Sequence, residues 1–324
     1  MTSARALKQL ENSVKPELVM VGPMMPHVME ALDRDFTVHR LWEAEDRKAL
    51  LAEVAGRVRA IATSGNLGAD AATIDALPKL EIIACYGVGV DAIDLAHAAK
   101  RKVIVTNTPD VLNDDVANMA IALLLATSRE IVNGDRYVRA GKWLKGAMHL
   151  TRALRGRKLG VLGLGRIGKD IARKAEVFGL EIAYHGRRRQ DGISYRYYGD
   201  LVEMARDCDI LVAICPGGPA TDKIVDRAVL DALGPEGTFI NVARGSVVDE
   251  PALVAALQEG TLGAAGLDVF AEEPKVPEAL LDMDQVVLQP HAASATTETR
   301  RAMGDLVVDN LRAHFTGKPV LTPV

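Results

Sequence analysis

The stretch that most restricts how this chain can fold is Leu159–Gly168, which reads Leu-Gly-Val-Leu-Gly-Leu-Gly-Arg-Ile-Gly. The apolar run Leu159–Leu162 has the character of a buried strand. It passes directly into Gly163-Leu164-Gly165-Arg166-Ile167-Gly168, after which Lys169–Phe178 carries helical spacing. A strand, a glycine turn and a helix in immediate succession form the context in which this spacing binds a dinucleotide. Gly163 permits the tight turn, Gly165 lets the backbone approach a pyrophosphate, and Gly168 lets the helix lie close to the strand. The bare amides and the dipole at the helix start then face an anion. Glycine clusters also form plain structural turns, and it is the flanking strand and helix that favour the dinucleotide reading.

The rest of the chain repeats the alternation of strand and helix. In the first third, strands are expected at Glu17–Val21, Phe36–Leu41, Val58–Thr63, Glu81–Cys85 and Val103–Val105. Helices are expected near Pro26–Leu32, Glu45–Ala55, Asp70–Leu77 and Asp91–Lys100. That rhythm predicts a parallel sheet covered on both faces. Asn107-Thr108-Pro109-Asp110 interrupts it, and Asp114 or Asp115 is placed to cap a long apolar helix, Val116–Arg129. After a loop at Gly141–Gly146, a second alternation starts at Leu159. Its strands are Leu159–Leu162, Leu180–Tyr184, Ile210–Cys215, Thr238–Val242, Gly266–Val269 and Val286–Gln289, a set suited to a Rossmann sheet. The last helix, Thr296–Phe315, places Met303, Leu306, Val307, Asn310, Leu311 and His314 on one face to be buried. It is expected to return to the first domain, with crossings near residues 108–115 and 290–297 and a cleft between.

The fold expected is therefore α/β with two domains. A Rossmann dinucleotide-binding domain spans 113–295, and a flavodoxin-like substrate domain is built from both chain ends, 1–112 and 296–324. A chain of 324 residues is too long for one ordinary core. Its net charge of −4 argues against a nucleic-acid surface. The longest apolar run, Met119–Ala126, is too short to cross a bilayer. Arg5 and Lys8 are followed by no apolar segment of a signal peptide, and the polar residues before Val14 are expected to fray. Cys85, Cys208 and Cys215 are odd in number and lack ligand spacing, which fits buried thiols in a reducing cytoplasm. No metal-ligand cluster is apparent.

Two further patterns bear on chemistry. The second Rossmann strand ends Tyr184-His185-Gly186-Arg187-Arg188-Arg189. A site for NAD carries a carboxylate there to hold the ribose hydroxyls. Guanidinium groups pair instead with a 2′-phosphate and stack on adenine, so NADP(H) is expected over NAD(H), with NAD(H) use still open. A run of arginines is commonly just solvated, and its position at this strand end is what gives it meaning. The second pattern is a set of polar residues at later strand ends: Arg244 in Asn241-Val242-Ala243-Arg244-Gly245, Asp268 and Glu273 in Leu267–Pro274, and His291 in Gln289–Ser294. Strand carboxyl ends line the ligand crevice of an open parallel sheet. Singly, each residue suits a structural role as well. Together, beside a dinucleotide turn, they suggest a catalytic edge.

With these residues in view, the chain from about residue 58 onward resembles the D-isomer-specific 2-hydroxyacid dehydrogenases. The matching stretches are Gly163–Gly168, Asn241–Gly245, Gly266–Pro274 and Pro290–Ser294, with Tyr86–Asp91 in the first domain. Asn107–Asp115, Tyr195–Gly199 and His314–Pro323 look most like the subgroup of glyoxylate/hydroxypyruvate and plant hydroxyphenylpyruvate reductases, which favours NADPH. The resemblance implies that Arg244 binds the substrate carboxylate and polarises the keto oxygen, that His291 protonates this oxygen, and that Glu273 bonds the imidazole and keeps it charged. It also implies cofactor contacts from Gly163, Leu164, Gly165, Arg166, Ile167, Gly168, Gly186, Arg187, Arg188, Val242, Ala243 and Asp268. Val88 and Gly89 would offer amides to the carboxylate. Leu67, Trp143 and Met148 are candidates to line the substrate pocket, with Trp143 reaching the other subunit of a homodimer or simply packing an interface.

The chemistry suits these residue types. Reducing a 2-keto acid moves a hydride to carbon and leaves charge on oxygen, which must be neutralised. Histidine ordinarily titrates near neutrality, and an arginine fork matches a carboxylate. The reaction expected is NADPH-dependent reduction of small 2-keto acids such as glyoxylate and hydroxypyruvate, with phenylpyruvates as bulkier candidates. The alternatives are an NAD-dependent dehydrogenase of the 3-phosphoglycerate type and a dinucleotide-sensing, corepressor-like binding protein. The chain lacks the basic stretch that the last of these would use on DNA.

Overall fold

The computed structural model describes residues 15–324, so the polar segment before Val14 lies outside the described residues. The chain divides into two compact units. One holds the residues up to Leu112 together with Thr296–Val324, and the other is Asn113–Ala295.

The first unit runs β1 (Glu17–Met20), α1 (Pro26–Asp35), β2 (Thr37–Arg40), α2 (Arg47–Val54), β3 (Val58–Ser64), α3 (Ala71–Asp75), β4 (Ile82–Tyr86), α4 (Leu95–Lys100) and β5 (Ile104–Thr106). Its strands pair in parallel in the order β2-β1-β3-β4-β5, the flavodoxin-like arrangement. β4 is buried along its whole length, as a strand covered on both faces must be. Aspartates set several helix starts. Asp46, Asp70 and Asp94 each accept an amide from the first turn of α2, α3 and α4. Asp94 explains why α4 begins at Leu95 and not at Asp91: its carboxylate takes the His97 amide at 2.9 Å and fixes the start there.

The second unit runs α5 (Asn113–Ser128), α6 (Ile131–Arg139), β6 (Lys158–Leu162), α7 (Arg166–Val177), β7 (Glu181–His185), β8 (Arg196–Tyr198), α8 (Leu201–Asp207), β9 (Ile210–Ala213), α9 (Arg227–Leu233), β10 (Thr238–Asn241), α10 (Glu250–Glu259), β11 (Ala264–Leu267), α11 (Glu278–Leu281) and β12 (Val286–Leu288). The parallel order is β12-β11-β10-β9-β6-β7-β8. Counted from β6, this is the Rossmann order with one strand added, and it reverses direction between β6 and β9. Phe239, Met204 and Leu253 fill the core on one side of the sheet.

Two expectations are corrected here. The sheet has seven strands, because the short edge strand β8 lacks the length and alternation that mark a strand in sequence. Asp114 and Asp115 are not caps. The helix starts at Asn113, and both acids lie in its first turn, where they oppose the positive end of the dipole. Between Arg129 and the loop at Gly141–Gly146 the chain forms a further helix. Glu130 takes a left-handed conformation at φ 49° and separates α5 from α6, whose residues are nowhere fully buried.

The final helix, α12 (Thr297–Phe315), belongs to the first unit. The Thr296 hydroxyl caps it by accepting the Thr299 amide at 3.2 Å. Its buried face carries Met303, Gly304, Val307, Val308, Asn310 and Leu311. Leu306 and His314, expected on that face, are only half-buried, and His314 Nε2 instead meets Glu81 at 2.9 Å. Gly304 lets α1 approach, since a Cβ there would sit 2.2 Å from Val28 Cγ2. Beyond the helix, the chain returns alongside β5, where Thr106 and Pro323 form an antiparallel bridge.

Candidate active site

The glycine turn has the geometry of an anion cradle. Gly163 adopts φ 102°, and a Cβ on it would lie 2.7 Å from the backbone of Cys215, just after the paired strand β9. A Cβ on Gly168 would meet the Gly163 carbonyl at 2.2 Å, so the helix can lie this close only with glycine there. Gly165, by contrast, faces open space. It is the N-cap of α7, and no side chain caps the helix, so the first-turn amides stay available to a ligand. A pyrophosphate fits these features.

The loop after β7 carries Gly186, with open space where a Cβ would stand, and Arg187, Arg188 and Arg189, all exposed. Two side chains hold this loop. Gln190 Nε2 donates to the Leu164 carbonyl at 2.7 Å, and Tyr197 donates to the Gly186 carbonyl at 3.2 Å. The arginines therefore leave a strand end adjoining the cradle, where a charged group beyond the ribose would need them.

Arg244 follows β10 on a turn built by Asn241. This residue is fully buried, accepts the Ala243 amide at 3.1 Å and donates to the Arg244 carbonyl at 3.0 Å. The next residue, Gly245, lies against the Phe270–Ala271 peptide, and a Cβ would come within 1.9 Å of it. Glu250 on α10 accepts the Ala271 amide at 2.9 Å. The turn bearing Arg244 is thus locked to the loop bearing Glu273. Val242 and Ala243 are buried in the same turn.

Glu273 Oε1 accepts the Phe270 amide at 3.2 Å, and Oε2 lies 2.7 Å from His291 Nδ1. Burial pushes the Glu273 carboxyl up. The hydrogen bond and charge of His291, the Phe270 amide and the nearby Arg244 charge outweigh that and hold it below its ordinary value. His291 has φ 52°, a left-handed conformation that costs a residue with a side chain. Asp268 holds it there. Its carbonyl accepts the His291 amide at 2.8 Å, and its carboxylate accepts those of Ala292 and Ala293 at 2.7 and 3.1 Å. Asp268 is almost wholly buried; burial raises its carboxyl above the ordinary value, and the two amides partly offset this.

Of the remaining residues singled out in the sequence, Leu67 lies in the first unit and its side chain covers Gly22. Val88 and Gly89 follow β4 and are half-buried. Trp143, in a short 3-10 turn at Lys142–Leu144, is 68% exposed. Met148 packs near Gly134 on α6. Within the second unit, then, the fold brings together Arg244, Glu273, His291 and Asp268. Sequence reasoning missed Gln190, Tyr197 and Glu250, whose side chains act only through loops that no local pattern announces.

Residues 121–293 match the family described as D-isomer specific 2-hydroxyacid dehydrogenase, NAD binding domain. The chain is 50% identical over 307 residues to hydroxyphenylpyruvate reductase from Plectranthus scutellarioides, covering 95% of this chain and 98% of that one. It is 47% identical to glyoxylate/hydroxypyruvate reductase A from Arabidopsis thaliana, with the same coverage. Among solved structures, an NADPH-dependent glyoxylate/hydroxypyruvate reductase from Sinorhizobium meliloti, in complex with NADP and malonate, superposes with a TM-score of 0.90. It is 50% identical, with 96% of this chain and 97% of that one covered.

Proposed function

The chain belongs to the D-isomer specific 2-hydroxyacid dehydrogenase family, and from that premise we propose that it reduces small 2-keto acids, glyoxylate and hydroxypyruvate foremost, to D-2-hydroxy acids with NADPH. The observation that carries this reading is the His291–Glu273 pair beside Arg244, at the strand ends of a sheet that opens on a glycine cradle.

The cofactor, when bound, supplies the hydride. The turn Gly163, Leu164, Gly165, Arg166, Ile167 and Gly168 would hold its pyrophosphate, with the uncapped first-turn amides of α7 facing it, and Arg187 and Arg188 would pair with its 2′-phosphate. Gly186, Val242, Ala243 and Asp268 complete its contacts. Arg244 pairs with the substrate carboxylate and draws electron density toward the keto oxygen. His291 delivers the proton to that oxygen as charge develops there. With Nδ1 bonded to Glu273, the proton is delivered from Nε2. In the reverse direction the same nitrogen takes the hydroxyl proton. Val88 and Gly89 contribute amides to the carboxylate, and Leu67 and Met148 line the substrate's side chain.

Trp143 closes the pocket of a second copy in a homodimer, a reading supported by its exposure. Among the described residues no helix is long and apolar enough to cross a membrane, and the three cysteines are buried and free, which fits a cytoplasmic enzyme. Turnover of an aromatic keto acid is a second reading, favoured by the half-identical hydroxyphenylpyruvate reductase.

The test is a steady-state comparison of glyoxylate, hydroxypyruvate and hydroxyphenylpyruvate with NADPH and with NADH. Consumption of NADPH with the two small acids is expected, at higher kcat/KM than with NADH. Preference for NADH would favour the NAD-dependent alternative. No turnover with any of the acids would favour a dinucleotide-sensing protein.

A further inference from the structure

The loop Gly87–Gly89 is held by its carbonyls. The Thr108 amide donates to the Gly87 carbonyl at 2.9 Å, and Asn107 Nδ2 donates to the Val88 carbonyl at 2.9 Å. A peptide group is planar and trans, so a carbonyl fixed in one direction points the next residue's amide in the opposite one. Thr108 thereby sets the direction of the Val88 amide, and Asn107 sets that of the Gly89 amide.

Asn107 is itself held from a distant part of the chain. The Thr322 hydroxyl donates to the Asn107 carbonyl at 2.6 Å, and the Asn107 amide donates to the Thr322 carbonyl at 3.3 Å. Thr322 in turn depends on Asn310 of α12, which is fully buried. Asn310 Oδ1 accepts the amides of Leu321 and Thr322 at 2.9 and 3.1 Å, and its Nδ2 donates to the Thr322 hydroxyl at 2.8 Å. A buried carboxamide with these bonds satisfied has one orientation, because any rotation strands polar atoms away from water. The Val324 amide donates to the Val105 carbonyl at 2.9 Å and pins the segment to β5.

We propose that Asn107 is a positioning residue for substrate binding: its carboxamide, carried on a backbone that Thr322 and Asn310 brace, aims the Gly89 amide at the carboxylate of the 2-keto acid. This rests on the reading that the Val88 and Gly89 amides receive that carboxylate. The distinctive consequence is a split in kinetics. On this reading Asn107 acts through the Gly87–Gly89 loop and not on the reacting carbon, so its loss weakens ground-state and transition-state binding alike. That raises KM and leaves kcat.

The experiment measures kcat, both KM values and the thermal midpoint for Asn107→Ala, Asn107→Asp, Thr322→Val and Gly89→Pro. Loss of one such bond is expected to raise the glyoxylate KM about tenfold in Asn107→Ala and about threefold in Thr322→Val. In both, kcat and the NADPH KM should stay near wild type. Asn107→Asp keeps the size but replaces the donor with an acceptor, and should raise KM at least as far as Asn107→Ala. Gly89→Pro removes the amide hydrogen itself and tests the underlying reading. If Gly89→Pro raises the keto-acid KM while both Asn107 variants leave it unchanged, the proposal is wrong and the amide reading stands. If none of the variants moves KM, the amide reading falls and takes the proposal with it. A fall in kcat or a rise in the NADPH KM equal to the glyoxylate effect would reduce Asn107 to a general structural role and overturn the proposal.

Discussion

At the scale of single residues, the site depends on charge placed beside a histidine. The Glu273 carboxyl is held below its ordinary value, so it stays ionised across the neutral range. An acid whose folded value is depressed contributes stability that is present above its unfolded value and lost as the pH falls through the folded one. Glu273→Gln keeps an acceptor for Nδ1 and removes the charge. We expect its kcat to fall by about ten- to a hundredfold, and the alkaline limb of its kcat/KM profile to move to lower pH. Its thermal midpoint should also drop less on acidification than that of the wild type. A pH profile coincident with the wild type would show that Glu273 serves only to orient the ring. His291→Gln is the harsher variant: kcat should fall by about a thousandfold with NADPH still bound, which fluorescence titration would report. These four polar residues, Arg244, Asp268, Glu273 and His291, stood out in sequence because each lies in the stretch that leaves the carboxyl end of a strand of a parallel sheet. The left-handed turn at His291 did not, since nothing local marks it and Asp268, which sustains it, is remote in the chain.

At the scale of elements, the proposed reading puts cofactor choice in the loop between β7 and β8. β8 was invisible beforehand because Arg196–Tyr198 is three residues long, too short for alternation to show. Yet it matters, since Tyr197 reaches from it to the Gly186 carbonyl and fixes the loop that carries the arginines. The glycine turn, by comparison, was fully legible. Its three glycines have separate steric duties, and the structure assigns one to each: positive φ at Gly163, open space at Gly165 and close helix contact at Gly168. The prediction at this scale is the double variant Arg187→Ala/Arg188→Ala. Losing two charge-assisted contacts to a 2′-phosphate should raise the NADPH KM by about a hundredfold and leave the NADH KM within about threefold. Equal effects on both cofactors would place the arginines elsewhere in function. Tyr197→Phe should reproduce part of the NADPH effect, because it frees the loop without removing a charge.

At the scale of the whole molecule, the segment from Ile131 to Leu150 is where the proposed second subunit would seat. α6 has no fully buried residue, although Ile131 and Val138 are apolar and each 55% exposed. Trp143, Leu144 and Leu150 follow, the last two almost completely exposed. Apolar side chains gathered on one short stretch mark a surface that another protein covers. The sequence showed Gly141–Gly146 only as a loop, because an element whose apolar face meets no core of its own chain leaves no burial pattern to read. A second copy of the chain is the occupant proposed, with Trp143 entering its neighbour's pocket. Leu144→Glu combined with Val138→Glu places charge in that surface and touches no proposed catalytic group. Sedimentation should show the wild type as a dimer at micromolar concentration and the double variant as a monomer that keeps its far-ultraviolet dichroism. Glyoxylate KM should rise with dissociation, since each pocket would lose its neighbour's indole, and Trp143→Ala should raise it without dissociating the dimer. A wild-type protein that sediments as a monomer, or a Trp143→Ala enzyme with unaltered KM, would remove the second subunit from the site.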